Sequence, residues 1–315
     1  MYAQLRETDV NWMDMRWMGA VFCGLLGLAF GSFLNVCLSR LPEGESIVTP
    51  RSHCRDCEHV LSWWENLPLA SWIFLRGRCR NCQSWIGVRY PLVELAVGLL
   101  WAGCWMEFSK DLLNSDFPFV AYQAAARLCS YALLCLILVA LATLDAESFW
   151  LPDWITLPGI LLGVIFRALL YQFRDHYPPV ALYDTISAPR WKDFAFDITI
   201  AIVASSGLVL VIRLVYWLVR RKEGMGLGDA KLMGMLAAWL GLSASLECFA
   251  LAILGATATA ILWLAAVFIR HRTHEAGGWA NMPLPLGTFL CVAGLSEIFW
   301  PGWLFVWWSQ HFLSF

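Results

Sequence analysis

Gly224-Met225-Gly226-Leu227-Gly228-Asp229-Ala230-Lys231 lies between two long apolar runs, directly after the basic cluster Arg220, Arg221 and Lys222. Three alternating glycines allow turns that other residues resist and let a neighbouring helix come close. Asp229 stands where the next apolar segment begins. A carboxylate at a membrane boundary is costly to desolvate, which makes it a candidate functional group; the plainer reading is that Asp229 caps the following helix. A second aspartate, Asp145, ends another apolar run and tips the balance toward function.

The flanks of that stretch are typical of the whole chain. Of 315 residues, 59% are hydrophobic and only 15% charged, with the charges gathered between apolar blocks; the mean hydropathy is +0.61. Such a composition excludes a soluble globular domain and predicts an all-α polytopic membrane protein in contact with the lipid bilayer. A net charge of -2 gives no basis for nucleic-acid binding, and nineteen tryptophans suit many helix ends at two interfaces. Eight candidate spans are expected, at about 17–38, 91–107, 120–144, 155–173, 194–219, 230–246, 248–269 and 285–307. The run Trp17–Cys37 is read as a retained span, because no small-residue cleavage site follows it.

Lysines and arginines collect in the loops at 40–89, 220–231 and 270–272. That side is expected to be cytoplasmic and both termini to lie outside. Arg127, Arg167 and Arg213 fall near span ends and are expected to snorkel. This topology puts the 40–90 loop, the Asp145–Asp153 turn and the Gly224–Asp229 loop on one cytoplasmic face. The expected domains are an outer tail with the first span (1–38), a cytoplasmic metal-binding domain (39–90) and a transmembrane core (91–315).

Seven of the eleven cysteines fall in apolar runs and are expected to pack there. The other four form Cys54-Arg55-Asp56-Cys57 and Cys79-Arg80-Asn81-Cys82, two C-x-x-C knuckles separated by twenty-one residues. Four thiolates in this pattern suit a closed tetrahedral Zn²⁺ site. A loop of about fifty residues buries little core, so the metal would supply the missing folding energy. A redox dithiol pair and a catalytic zinc are the competing readings. His53 and His59 flank the first knuckle and are taken as loop residues. No internal repeat is evident.

Asp145 opens Asp145-Ala146-Glu147-Ser148-Phe149-Trp150-Leu151-Pro152-Asp153, in which Pro152 turns the chain back toward the next span. Asp153 is read as a cap for that span and Glu147 as solvated. Asp145 and Asp229 make chemical sense together. Two carboxylates sharing a site do not both ionise, so one serves as acid while the other activates water. No Ser-His or Cys-His arrangement competes; His271 and His274 lack a partnered nucleophile.

In order and spacing, these motifs resemble the bacterial type IV prepilin peptidases, the A24 aspartic peptidases that act as leader peptidase and N-methyltransferase. The resemblance runs from about Gly24 to Gly294. It includes Gly31-Ser32-Phe33-Leu34-Asn35-Val36, Arg40-Leu41-Pro42, both knuckles, Glu65-Asn66-Leu67-Pro68-Leu69-Ala70-Ser71-Trp72 and Arg89-Tyr90-Pro91-Leu92-Val93-Glu94. Leu144-Asp145, Leu151-Pro152-Asp153 and the Gly224–Leu232 stretch complete it. The resemblance implies catalytic aspartates at Asp145 and Asp229, zinc ligands at Cys54, Cys57, Cys79 and Cys82, and a role in methyl transfer for Gly77. It implies prepilin and pseudopilin substrates in the bacterial inner membrane, cut after a glycine that ends a short basic leader. Methylation of the new N-terminus would use S-adenosylmethionine. Gly226 and Gly228 are expected to let the substrate strand approach Asp229. One departure stands out: the family's Ile-Pro-Phe-Gly-Pro reads here as Leu284-Pro285-Leu286-Gly287-Thr288. The competing classes are a presenilin-type intramembrane aspartyl protease, which shares Gly-x-Gly-Asp, and a non-catalytic membrane assembly factor.

Overall fold

Long apolar segments whose backbone must bond within itself become helices, and helices account for nearly all regular structure among the described residues. The computed structural model describes residues 2–114, 118–174, 191–221, 226–269 and 284–303. The chain divides into two compact units, residues 1–140 and 141–315.

In the first unit, α1 (Tyr2–Arg40) lies along α3 (Arg89–Asn114). Their backbones approach closely because glycine stands at the contact: a Cβ on Gly31 would lie 2.7 Å from Glu94 Cα. Trp101 on α3 donates its indole N–H to Ala132 O on α4 (Pro118–Ser148) at 2.9 Å. Between α1 and α3 the chain forms the knuckle loop and the short helix α2 (Ala70–Phe74).

The second unit is built round α7 (Leu227–Leu240). Nine of its fourteen residues, among them Leu232, Met233, Met235, Leu236 and Trp239, are buried. A short helix apolar on all sides belongs in a core rather than on a surface. Helices α5 (Asp153–Arg174), α6 (Trp191–Arg220), α8 (Leu242–Ile269) and α9 (Leu286–Phe299) pack against it. Gly159 and Gly163 on α5 make the space: side chains there would strike Met235 Sδ at 2.5 Å and Trp239 Cδ1 at 2.6 Å. Small residues four apart are a common device for seating helices in a membrane. The Trp239 indole N–H then donates to Gly159 O at 2.8 Å. Conversely, Val211, Leu214, Val215 and Leu218 on α6 point outward, as lipid-facing residues do.

Among the described residues, six helices are long and apolar enough to cross a membrane, which makes this a multi-pass membrane protein. Eight were expected. However, α7 and the described α9 have fourteen residues each, about 21 Å at helical rise, short of the ~30 Å hydrocarbon core. The expected sixth span, 230–246, is interrupted at Gly241, whose φ of 93° ends α7 before α8 begins.

Arg167, expected near a span end, reaches the end of α7. Its guanidinium donates to Ala237 O at 3.3 Å, adding a second donor to a carbonyl in the last turn of α7 that already accepts the Gly241 N–H. Of the seven apolar-run cysteines, Cys104, Cys135, Cys248 and Cys291 are buried as expected, Cys23 and Cys37 are partly covered, and Cys129 is exposed. Gly224, Met225, Lys222, His271 and His274 lie outside the described residues.

Candidate functional site

Helix α4 ends at Ser148, Phe149 takes a left-handed φ of 51°, and α5 restarts at Asp153. This leaves Asp145 in the last turn of α4, only 5% exposed. Its Oδ2 accepts two hydrogen bonds from Thr288, one from the backbone N–H at 2.6 Å and one from Oγ1 at 3.1 Å. Thr288 lies in the first turn of α9, where backbone amides have no acceptor within their own helix and the helix dipole favours negative charge. Asp145 therefore sits at a helix N-terminus contributed by a distant part of the chain. Gly287 makes this approach possible, since a Cβ there would lie 2.9 Å from the Asp145 carboxyl carbon.

Asp229 occupies the equivalent place on α7. Its Oδ2 accepts the Gly226 N–H at 3.3 Å, so it does cap its own helix. Leu151 packs between the two helix starts: a Cβ on Gly228 would lie 2.9 Å from Leu151 Cβ, and one on Gly287 would lie 3.0 Å from Leu151 Cδ1. The carboxylates are near enough to act on each other electrostatically, and both act on the buried Cys291 thiol. Asp229 lies outside the six spanning helices. Burial, and then the Asp145 charge, push its carboxyl up to about 6, against the opposing Gly226 hydrogen bond.

The two glycines of the Gly-x-Gly-Asp stretch differ. Among the described residues, a Cβ placed on Gly226 would have only Asp229 Oδ2 at 3.6 Å and the Gly228 amide at 3.8 Å near it, whereas the space beside Gly228 is occupied by Leu151. Asp153 is in the first turn of α5, as a cap would be, but its carboxylate also pairs with Lys231 on α7. Glu147 is exposed.

In the first unit the four knuckle cysteines meet, all four sulfurs lying within 4.8 Å of one another. Cys54 Sγ is 3.8 Å from Cys82 Sγ, and Cys57 Sγ is 3.9 Å from Cys79 Sγ. A tetrahedron with Zn–S bonds of ~2.3 Å has edges of about 3.8 Å, so the donor set fits zinc. The two knuckles repeat one turn residue for residue, a repeat the sequence did not reveal. Glu58 and Gln83 N–H donate to Cys54 and Cys79 O, while Cys54 and Cys79 N–H donate to His59 and Ser84 O. Glu58 and Gln83 both have positive φ. The histidines are engaged elsewhere, His59 beside Glu65 at 3.6 Å and His53 at the Arg51 carbonyl. Gly77, at φ 67°, stands before the third cysteine, and a Cβ there would lie 2.9 Å from Trp72 and 3.0 Å from Trp85.

Thr288, Gly287, Leu151 and Lys231 were not among the residues read from sequence as parts of the site. Only the departure at Thr288 was visible as a signal.

A membrane-spanning helical body with two interacting carboxylates at helix starts, joined to a four-thiol loop, defines a class of polytopic membrane proteins with a paired-aspartate site. Residues 25–108 match the Bacterial Peptidase A24 N-terminal domain and residues 132–264 match the Type IV leader peptidase family. The Prepilin leader peptidase/N-methyltransferase of Stutzerimonas stutzeri is 32% identical over 93% of this chain and 95% of its own length. The protein of the same name from Pseudomonas aeruginosa is 33% identical over 88% of each chain. The one from Myxococcus xanthus is 36% identical over 78% of this chain and 64% of its own length. The chain belongs to the type IV leader peptidase family. No solved structure matches it.

Proposed function

We infer that the protein is a membrane aspartyl endopeptidase that removes the basic leader from prepilins and pseudopilins after a glycine, then N-methylates the new N-terminal residue. The observation that carries the peptidase half is the meeting of Asp145 and Asp229, from segments far apart in sequence, in one site where they sense each other. The relatives named Prepilin leader peptidase/N-methyltransferase support both halves.

The roles divide by environment. Asp145, held by two donors from Thr288 at a helix N-terminus, keeps the charged form and takes a proton from the attacking water. Asp229 carries the shared proton and delivers it to the leaving amine. The water oxygen bonds to the scissile carbonyl carbon as its proton passes to Asp145. Collapse of the tetrahedral intermediate breaks the C–N bond, and the amine leaves with the Asp229 proton. The open backbone at Gly226 gives the substrate strand a place to lie. Asp145 ends its helix rather than sitting mid-helix, which suits a bond at the membrane boundary better than one within the bilayer.

The same reading places the site on the cytoplasmic face of the bacterial inner membrane, with both termini outside. Cys54, Cys57, Cys79 and Cys82 hold a structural zinc that orders the 39–90 domain; the 91–315 segment is the peptidase core. Ser84 and Asn81 support the metal as hydrogen-bond partners of the thiols, Ser84 Oγ at 3.1 Å from Cys82 Sγ and Asn81 Nδ2 at 3.6 Å from Cys57 Sγ. S-adenosylmethionine would supply the methyl group for transfer to the new N-terminal amine. The test incubates wild type, Asp145→Asn and Asp229→Asn with a prepilin in detergent. Cleavage by wild type alone supports the reading, and a well-folded Asp145→Asn enzyme that still cleaves would refute it.

A further inference from the structure

The first unit contains a cavity of about 570 Å³, walled by the ends of α1 and α3 on one side and the knuckle loop on the other. That size falls within the ~300–1,000 Å³ usual for small-molecule sites. Two buried acceptors on residues lining it have no hydrogen-bond partner: Asn35 Oδ1, on a residue 2% exposed, and Glu65 Oε1, on a residue 6% exposed. Buried polar atoms are seldom left unpaired, because each costs about 1–3 kcal/mol.

The neighbouring atoms of both side chains are already committed. Asn35 Nδ2 donates to Tyr90 O at 2.9 Å. Glu65 Oε2 accepts the Ser62 N–H at 2.8 Å, an interaction that also lowers the Glu65 pKa and keeps the group anionic. Six carboxylates and three arginines line the cavity. The arginines are engaged within the protein: Arg40 with Ser46 O and Arg51 O, Arg55 with Ser39 O and the Glu43 carboxylate, and Arg80 over the Trp64 ring; of the acids, Glu94 also accepts the Leu69 N–H. The unspent capacity of the walls is therefore to accept hydrogen bonds and balance positive charge. One wall also has an edge-to-face pair, Trp72 and Trp85, with ring centres 6.0 Å apart. Trp85 is 60% exposed, and an open indole face stacks on a flat heterocycle.

We propose that this cavity binds the methyl donor, an adenosyl sulfonium, with Glu65 and Asn35 accepting hydrogen bonds from its amine groups and Trp85 stacking on its base. The proposal rests on the methyltransferase half of the function inferred above. A sulfonium amino acid joined to adenosine supplies what the walls lack: positive charge, several N–H donors and a planar ring.

Full-length protein in lipid nanodiscs is equilibrated with labelled S-adenosylmethionine to measure binding directly. Glu65→Gln keeps an acceptor for Ser62 N–H but presents an amide donor and no charge to the cavity; about tenfold weaker binding is expected, with zinc content and melting temperature unchanged. Asn35→Ala is expected to weaken binding similarly. Glu107→Gln, an exposed acid on α3 outside the cavity, should bind as wild type does. As a measurement independent of any variant, an azido-adenosyl analogue should label peptides within residues 32–94. If wild type binds and methylates a pre-cleaved pilin peptide while Glu65→Gln binds equally well, or if the label falls in residues 141–315, the cavity assignment is wrong and the methyltransferase reading survives. If wild type neither binds the donor nor methylates the peptide, the underlying reading fails and this one with it.

Discussion

Thr288→Val removes one hydroxyl and nothing else of consequence, so it tests how Asp145 is held. In wild type the carboxylate Oδ2 accepts the Thr288 amide at 2.6 Å and Oγ1 at 3.1 Å. The hydroxyl has a single proton, and Ala142 O at 3.2 Å is an alternative acceptor for it. A hydrogen bond to a charged group contributes about 1.5–3 kcal/mol; with the proton shared between two acceptors, about 1–2 kcal/mol of that bears on the catalytic carboxylate. The rate of prepilin cleavage should then fall roughly 5–30-fold. Because the group lost faces the aspartate rather than the substrate, the loss belongs in kcat with KM little changed.

Thr288→Ser, which keeps the hydroxyl, should stay within about twofold of wild type. The assay is initial-rate cleavage of purified prepilin in detergent, read by gel, with thermal melting as the folding control. A Val variant as fast as wild type and equally stable would show that the hydroxyl serves Ala142 alone and that the amide is sufficient. A loss confined to KM would place Thr288 against the substrate and contradict the geometry.

The remaining predictions are shorter. Asp145→Asn and Asp229→Asn should each reduce cleavage by ~10²–10⁴-fold or more while the protein still inserts; residual activity near wild type in either would remove that residue from the pair. Asp153→Asn breaks an ion pair with Lys231 whose side chains are 59% and 34% exposed. Exposed pairs contribute about 0–1 kcal/mol, so activity within roughly fivefold of wild type is expected, and a dead but folded variant would mean Asp153 belongs to the chemistry. Burial and the Asp145 charge push the Asp229 carboxyl up to about 6; with Asp229 as the proposed proton donor, the donor form is lost as pH rises through that value. Cleavage should show an alkaline limb above it, and a rate flat to pH 9 would argue against the assignment. One zinc per chain should be found by elemental analysis, and mutating any of the four knuckle cysteines to Ser, or Gly77→Val, should impair methyl transfer more than cleavage. Equal loss of both activities would make the loop part of the peptidase site.

The parts of this protein legible in the sequence are those whose physics is local in the chain. Apolar runs marked where the six spanning helices fall, and the two C-x-x-C turns marked the thiol cluster, because in each case the requirement is met by neighbours in sequence. Hydropathy does not register what a helix packs against, so α7 was read as another span although its buried faces belong to a core helix. The signal that separates the two was present at Gly159 and Gly163, spaced for close approach, but its meaning depends on which helix arrives; here it is the Met235 and Trp239 face of α7.

The site divides along the same line. Asp145 and Asp229 stood out because carboxylates beside long apolar runs are costly to bury. The groups that hold Asp145 did not, because a threonine at a helix start is ordinary until a carboxylate from another segment is brought to it. Where the resembled pattern has proline, which lacks an amide hydrogen, Thr288 supplies both a backbone and a hydroxyl donor to Asp145. A departure from the family pattern thus falls on the aspartate assigned as base. The charge on that aspartate is therefore set in part by a residue at which this chain departs from the resembled pattern, and the Thr288 variants measure how large that part is.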